Sequence, residues 1–212
     1  MLRLLLRVLY LLYFICIGGP LFLTATLLCS LVTIISSYLG APASFISGAT
    51  GIWSRVCLFV SLCRVEVRGR EHLPSRDAPC VVVANHQGAY DIFALNGYIG
   101  IPFKWVLKIQ LRRLPFVGKA CEAAHYIFVD ETKPSSIAKT ISDAKRVLAT
   151  GNSIFIFPEG SRTLTGEITR FKKGAFVIAS ELDVPILPVT IDGAFAILPR
   201  GHILPHPRKI IL

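Results

Sequence analysis

The first 54 residues of the chain are almost free of charge, and this feature constrains the fold most. After Arg3 and Arg7, no Asp, Glu, Lys or Arg occurs before Arg55, and the run from Leu4 to Leu39 is apolar almost throughout. A transmembrane helix needs about 20 apolar residues, whereas the apolar centre of a signal peptide is shorter. We therefore predict that residues 1–63 form retained, membrane-associated helices.

The Gly18-Gly19-Pro20 sequence divides this apolar run into a shorter and a longer piece. Gly and Pro disfavour the interior of a helix, so a turn at this point would give a helix hairpin or a re-entrant helix pair. Residues 41–62 are apolar but interrupted by Gly, Ser and Pro. This pattern is compatible with a further helix at the membrane surface or against the rest of the protein.

Arginine residues stand on both sides of the apolar region and indicate its orientation. They are Arg3 and Arg7 before it and Arg55, Arg64, Arg68 and Arg70 after it. By the positive-inside rule both flanks face the cytoplasm, which a single crossing would not allow. We expect a membrane protein whose main domain lies on the cytoplasmic face, at the inner membrane if the protein is bacterial.

From residue 64 onwards, short apolar runs alternate with helix-like segments, a rhythm typical of α/β folds. Residues 64–212 can bury one core, and helices are predicted over Ser136 to Thr150 and over Gly174 to Leu182. The final PRKIIL is typical of a beginning strand, so we expect either a truncated protein or a naturally short one. The predicted strands are Val65–Arg68, Cys80–Ala84, Trp105–Leu107, Tyr126–Val129, Ser153–Phe157 and Ile186–Thr190.

Charge and cysteine content narrow the class of protein. The net charge of +10 is compatible with nucleic acid, anionic phospholipid or a phosphorylated substrate as partner. The apolar N-terminus favours the last two, and no nucleic-acid-binding motif is visible. The six cysteines lie apart, without a CxxC pair or a neighbouring His cluster, so we interpret them as reduced packing residues and predict no metal site.

The sequence VVVANHQGAYD, residues 81–91, passes from a buried strand directly into His86 and Asp91. Residues that carry chemistry gather at the carboxyl ends of strands in α/β sheets. Gly88 permits a tight turn, and a helix beginning near Ala89 would let Asp91 reach one ring nitrogen of His86. The other nitrogen would then serve as a general base for a hydroxyl nucleophile.

The spacing alone is weak support, because HYIFVD repeats it with His125 and Asp130. If Tyr126 to Val129 is a strand, these two residues lie roughly 16 Å apart and on opposite faces. They therefore serve as an internal control for the His86 pair.

A second strand, in FIFPEGSRT (residues 155–163), has a similar polar end, which suggests one shared site. Arg162 offers a planar fork for phosphate, Gly160 allows close approach of a ligand, and Glu159 could bind a hydroxyl or orient its neighbours. RFKKGA, residues 170–175, adds Lys172 and Lys173 at a predicted helix start, where anions are favoured. The alternatives are a surface turn with a solvated ion pair and a solvated basic turn.

Taken together, these blocks resemble the lysophosphatidic acid acyltransferase family of the glycerolipid acyltransferases, over roughly residues 65 to 192. NHQGAYD matches NHxxxxD, FPEGSRT matches FPEGxRS with Thr163 for the last Ser, and VPILPV (184–189) matches VPxxPV. HYIFVDE has the family's apolar strand, with Glu131 where the family usually has Arg. Four ordered blocks within about 110 residues are very improbable by chance.

The resemblance implies a mixed, largely parallel sheet flanked by helices, and transfer of an acyl group from a thioester to 1-acyl-glycerol-3-phosphate. In that reading His86 is the general base, Asp91 its partner, and VPILPV lines the acyl or acceptor pocket. Acyl-CoA or acyl carrier protein would be the co-substrate, with no metal or other cofactor; lysophospholipid and membrane lipid are the partners, and nucleic acid is not. The implied substrate-binding residues are Lys108, Glu159, Gly160 and Arg162, supported by Asn85, Ser161, Lys172 and Lys173.

Three other readings remain open at this point. Glu131 keeps open an acyltransferase for another lysolipid, such as lyso-ornithine lipid. A membrane scaffold that kept the fold without turnover is a second, and an anionic-lipid-binding module without chemistry is a third. The intact His86, Asp91, Glu159 and Arg162 argue against the scaffold, and four ordered blocks argue against the simple lipid-binding module.

Overall fold

The N-terminal helices are continuous in the computed structural model, which describes residues 1–75, 78–133 and 136–212, without the side chain of Arg3. Helix α1, Leu2–Tyr13, continues through a π-helical turn, Phe14–Gly18, into α2, Gly19–Tyr38. The predicted turn at Gly18-Gly19-Pro20 is therefore wrong. Pro20 lies in the first turn of α2, where its missing N–H is tolerated, and the π-helical turn before it absorbs the irregularity.

A hairpin does form, but between α2 and the next helix. Gly40, at φ +74°, lies in the turn that leads to α3, Ala43–Val60. The two helices run antiparallel, since Trp53 Nε1 donates to Thr26 Oγ1 at 3.0 Å and Cys29 Sγ donates to the carbonyl of Ala49 at 3.8 Å. In the described part of the chain, Leu4–Tyr38 and Ala43–Val60 are long and apolar enough to cross a membrane, by length and composition.

The main sheet has five strands in the order β4-β3-β5-β2-β6, and all its pairings are parallel. Its carboxyl edge therefore brings together the loops that follow β2, β3 and β5. A separate parallel pair joins β1 to β7. The predicted α/β fold and its six strands are confirmed, with ends shifted by one or two residues. The strands are β1 Arg64–Glu66, β2 Val81–Ala84, β3 Phe103–Lys108, β4 Ile127–Val129, β5 Ser153–Ile156, β6 Ile186–Val189 and β7 Lys209–Ile211.

Helices cover both faces of this sheet, which explains why β2 reads as a continuous apolar run. Val82 points to the face that carries α3 and α4, where Leu58 and Phe93 pack with it. Val81 and Val83 point to the opposite face, where α6 and α7 supply apolar partners. The helices of the domain are α4 Tyr90–Tyr98, α5 Val117–Ala123, α6 Ser136–Leu148 and α7 Gly174–Glu181.

Candidate active site

The loop after β2 brings His86 and Asp91 into direct contact. Asp91 lies in the first turn of α4 and is fully buried, and its Oδ2 lies 2.7 Å from Nδ1 of His86. The backbone N–H of Gly88 donates to the same oxygen at 2.8 Å. Burial raises the pKa of Asp91 above its ordinary value, and the hydrogen bond from His86 opposes this rise because it favours the carboxylate. With Nδ1 engaged, Nε2 is the ring nitrogen left for proton transfer.

An aromatic side chain that the sequence did not single out fixes the plane of the imidazole. Phe157, which follows β5, stacks on the His86 ring with centroids 3.8 Å apart and planes within 8°. The ring of Trp105 in turn stacks on Phe157 at 5.7 Å. The His86 ring is thus held by a carboxylate on one side and an apolar stack on its face, and its side chain is only 13% exposed.

Gly88 is needed for a different reason from the one the sequence suggested. Its backbone does not have a positive φ, so the turn itself does not demand glycine. A Cβ atom at this position would instead lie 3.0 Å from the carbonyl oxygen of Ala194, which is closer than most real Cβ contacts. The close passage of the 194–198 segment therefore explains glycine here.

The side chain of Asn85 takes part in the hydrogen bonding of the sheet. Its Nδ2 donates to the carbonyl of Ile191 at 2.9 Å, and its Oδ1 accepts from the N–H of Ile191 at 2.8 Å. The side chain is buried. These two hydrogen bonds extend the pairing of β2 with β6 by one step. They also hold in place the residue that precedes His86.

Replacing Asn85 by alanine is expected to lower the free energy of unfolding by about 2 kcal/mol, because the buried N–H and C=O of Ile191 would lose their partners. Chemical denaturation of the purified protein in detergent measures this change. Asn96→Ala is the matched control, since the Asn96 amide donates to a single side chain, Ser54 Oγ. Equal stability losses in the two variants would contradict the proposed anchoring role.

Glu159 is buried, and both of its carboxylate oxygens accept hydrogen bonds from the protein itself. Its Oε1 accepts from the backbone N–H of His86 at 2.6 Å, and its Oε2 accepts from the N–H and Oγ1 of Thr169 at 2.8 and 2.6 Å. The N–H of Thr163 donates to the carbonyl of His86 at 2.9 Å. Both backbone groups of His86 are therefore held by the FPEGSRT loop. Of the two roles that the sequence left open for Glu159, this geometry fits the orienting of neighbours.

Two lysines and one carboxylate form a compact cluster beside the dyad. Lys108 Nζ and Lys172 Nζ each lie 3.2 Å from a carboxylate oxygen of Glu131. Gly160, at φ +77°, lies against Lys172, where a Cβ atom would be 2.6 Å from Nζ. Burial alone would raise the pKa of Glu131, but its hydrogen bonds to Lys172 and Lys108 lower the pKa below its ordinary value. Glu131 thus forms an ion pair with both lysines in this structure.

A cavity of about 810 Å³ connects the dyad to this cluster. His86, Lys108, Gly160, Ser161, Arg162 and Lys172 line its polar part, and Arg200 adds a further cation. Apolar side chains from the strands, α6 and α7 line the rest: Val106, Val129, Ile137, Ile156 and Ile178. The cavity can therefore take a molecule with an anionic head and an aliphatic chain.

Lys173, the VPILPV segment and His125 lie outside this cavity. Lys173 is exposed at the N-cap of α7 and is not in the lining. The segment 184–189 contains β6 at the edge of the sheet beyond β2, and none of its residues lines the cavity, so the role of VPILPV in lining the pocket is not supported. His125 borders a different cleft, whereas Asp130 borders both clefts, and the Asp130 carboxylate is engaged by Thr132 and Lys133. Within the described residues no hydrogen bond or ion pair joins His125 to Asp130, so this pair does not form a dyad.

Comparison with known proteins places this geometry in context. The family model described as Acyltransferase matches residues 64–192. The chain is 33% identical to a chloroplastic 1-acyl-sn-glycerol-3-phosphate acyltransferase of Brassica napus, over 71% of this chain and 43% of that protein. It is 32% identical to a 1-acyl-sn-glycerol-3-phosphate acyltransferase of Pseudomonas aeruginosa, over 65% of this chain and 54% of that protein.

A solved structure shares the fold. The crystal structure of the 1-acyl-sn-glycerophosphate (LPA) acyltransferase PlsC from Thermotoga maritima superposes with a TM-score of 0.77 at 24% identity. The match covers 99% of this chain and 84% of that one, so it includes the N-terminal helices. The chain spans about half the length of the curated relatives it matches.

Proposed function

Because the chain belongs to the Acyltransferase family, we propose that it transfers an acyl group from a thioester to the free sn-2 hydroxyl of 1-acyl-glycerol-3-phosphate, giving phosphatidic acid. One observation carries the proposal: a buried His86–Asp91 pair borders a cavity with a cationic end and an apolar remainder. The names of the relatives from Brassica napus and Pseudomonas aeruginosa support the same acceptor.

The proton transfer follows from the orientation of the imidazole. Nε2 of His86 takes the proton of the acceptor hydroxyl as that oxygen attacks the thioester carbonyl. Asp91, bonded to Nδ1, stabilises the imidazolium that forms. When the tetrahedral intermediate collapses, the C–S bond breaks and the imidazolium returns its proton to the departing thiolate. No covalent acyl-enzyme is needed.

The cations position the acceptor for this step. Arg162 and Lys108 line the cavity together with His86, and we assign to them the phosphate of the lysolipid. Holding the phosphate places the hydroxyl near the base and makes the reaction effectively intramolecular. The aliphatic chain then lies along the apolar part of the cavity.

The apolar helices supply access to a membrane-embedded substrate. Helices α1, α2 and α3 carry many exposed apolar side chains and would lie in the lipid, with the arginine-rich flanks and the sheet domain on the cytoplasmic face. A lysolipid could then reach the cavity without crossing water. In a bacterial cell the proposed location is the inner membrane.

Acyl transfer by the purified protein in vesicles tests the proposal directly. Lysophosphatidic acid is offered with acyl-CoA in one series and with acyl carrier protein thioester in another, and phosphatidic acid is measured. Product formation with either donor supports the function and identifies the thioester. Absence of product with both donors, while the protein still binds vesicles, would favour a lipid-binding protein or scaffold without turnover.

A second candidate acceptor is favoured by Glu131. Its carboxylate contacts both Lys108 and Lys172 and offsets one of their two positive charges, so a phosphate monoester must displace it to bind both lysines. A lysolipid that carries an amino group, such as lyso-ornithine lipid, could instead leave Glu131 in place and bond to it. Offering both acceptors to the same preparation distinguishes the two functions.

Replacing Glu131 by glutamine is expected to lower the KM for lysophosphatidic acid roughly five-fold with kcat little changed, because the lysines lose a competing carboxylate. Initial rates across a range of acceptor concentrations measure this. Glu122→Gln is the control, since Glu122 pairs with Arg112 and Lys119 outside this cavity. A higher KM in Glu131→Gln would show that the carboxylate organises the lysines rather than competing for them.

A further inference from the structure

Three large apolar side chains are exposed just after the lysine of the active site. In the segment IQLRRLPF, residues 109–116, Leu111 is 37% exposed, Leu114 47% and Phe116 52%. The segment begins with a 3-10 turn, Ile109–Arg113, directly after β3 and leads into α5. We call Leu111, Leu114 and Phe116 the apolar ridge. A group of exposed apolar side chains on one surface loop is typical of an interaction site.

The backbone of the segment holds the ridge rigidly. The N–H of Gly118 donates to the carbonyl of Leu114 at 2.9 Å. A Cβ atom at Gly118 would lie 2.3 Å from the carbonyl oxygen of Arg112, so the loop closes tightly on itself. Phe116 has φ +58°, a strained conformation for an aromatic residue, while its side chain remains half exposed. A strained backbone that still leaves its phenylalanine half exposed suggests a role in contacts outside the protein.

The ridge connects the cavity to the apolar helices. Lys108, Gln110 and Leu111 all line the active-site cavity. At the other end, α5 packs on α2, where Ser37 Oγ donates to the carbonyl of Ala123 at 2.9 Å. Helix α2 itself exposes a series of apolar side chains: Leu21, Leu23, Leu27, Leu28, Leu31 and Ile35. The ridge thus lies between the cavity lining and α5, which packs on a helix apolar enough for a membrane.

Charge at the ridge matches an anionic lipid surface. Arg112 and Arg113 lie between its apolar members, and Lys119 follows. Arg112 is bonded to Glu122 and stacks over the ring of Phe128, whereas Arg113 is exposed. Apolar side chains interleaved with arginine are typical of segments that lie at the boundary between headgroups and acyl chains.

We propose that the apolar ridge is a second membrane contact, separate from the N-terminal helices. Leu111, Leu114 and Phe116 enter the acyl region of the leaflet, and Arg113 meets anionic headgroups. This seats the rim of the cavity on the lipid surface, so that a lipid enters along the ridge. The membrane contact itself does not depend on acyl transfer, whereas the delivery of substrate rests on the proposed function.

Tryptophan quenching by lipid tests the contact without any catalytic readout. Full-length Phe116→Trp protein is reconstituted into phosphatidylcholine–phosphatidylglycerol vesicles whose acyl chains carry bromine. Phe176→Trp is the matched control, because Phe176 is also exposed but lies on α7, across the sheet from α2 and α3. Wild type gives the background from Trp53 and Trp105. We expect the Phe116→Trp signal to fall at least two-fold more than either reference.

Two outcomes would overturn the inference. If bromine quenches the Phe116→Trp protein no more than wild type while aqueous iodide quenches it more, the ridge lies in water. If neither quencher reaches the introduced tryptophan and the protein runs as a dimer in detergent, the ridge contacts a second copy of the chain. Neither result concerns acyl transfer, so the proposed function would be unaffected by them.

A kinetic comparison then tests delivery of substrate. Leu114→Ser combined with Phe116→Ser is expected to raise the KM for vesicle-borne lysolipid roughly ten-fold. The kcat/KM for a short-chain, water-soluble lysolipid should stay within two-fold, because the ridge bears on the membrane and not on the chemistry. Phe176→Ser controls for loss of an exposed phenylalanine. An equal loss with both substrates would show a disturbed site and refute the delivery role.

Discussion

Replacing His86 by alanine is expected to reduce acyl transfer by roughly 10² to 10⁴, the usual contribution of a positioned general base. We expect the effect to be specific to this residue, because its Nδ1 is bonded to Asp91 and its ring is fixed by Phe157. Lys108, another basic side chain along the cavity, is paired with Glu131. Initial rates of phosphatidic acid formation in vesicles measure the loss.

Replacing Asp91 by asparagine keeps the imidazole of His86 but removes the carboxylate that orients it. The asparagine keeps the size of the side chain, but an amide group that turns its NH₂ toward Nδ1 selects the other tautomer and leaves Nε2 protonated. We expect a loss in kcat similar to that of His86→Ala, with little change in KM. Circular dichroism and vesicle binding control for folding. Activity that survives in His86→Ala would refute the dyad mechanism.

Replacing Glu159 by glutamine is expected to cost both stability and activity. Three donors converge on this buried carboxylate, and an amide can satisfy either His86 or Thr169 but not both sets. We expect a loss of about 2–3 kcal/mol in the free energy of unfolding. The rate should fall by at least about 10², because His86 loses the bond that places its backbone.

Glu167→Gln is the matched control for this change, since Glu167 lies in the same loop with its side chain exposed. Its unfolding free energy should stay within about 0.5 kcal/mol of wild type. Denaturation curves and initial rates are measured for both variants. A Glu159→Gln protein with unchanged stability and only a raised KM would indicate that the carboxylate contacts the acceptor and does not position His86.

The sheet and the dyad could be predicted because the signals are local. Val81 to Ala84 are apolar on both faces, as a central parallel strand requires, and the polar residues that follow belong to the next loop. The His86–Asp91 contact needs only the turn and the first turn of α4, all within six residues. The control pair His125 and Asp130 could be rejected for the same reason, because a strand separates them.

The remaining features depend on contacts distant in sequence or on small energy differences. No residue near Glu159 in the sequence indicates that its hydrogen-bond partners are His86 and Thr169. Likewise, no residue near Phe157 indicates that its ring stacks on His86. The turn expected at Gly18-Gly19-Pro20 was wrong because a π-helical turn accommodates proline without ending the helix. Glu131 could be noted in the sequence, but its pairing with Lys108 and Lys172 required three segments to be brought together.

The hydrogen bonds between the FPEGSRT loop and the backbone of His86 also affect when the site forms during protein synthesis. The bond from His86 to Glu159 spans 73 residues and joins loops at the ends of two parallel strands. Such pairings form late, because the intervening chain must first be closed and ordered. A nascent chain that has released its NHQGAYD segment but not the FPEGSRT loop therefore has an imidazole without a fixed position. If the proposed function holds, a ribosome-bound intermediate at the membrane leaves the thioester pool intact until the whole sheet has assembled.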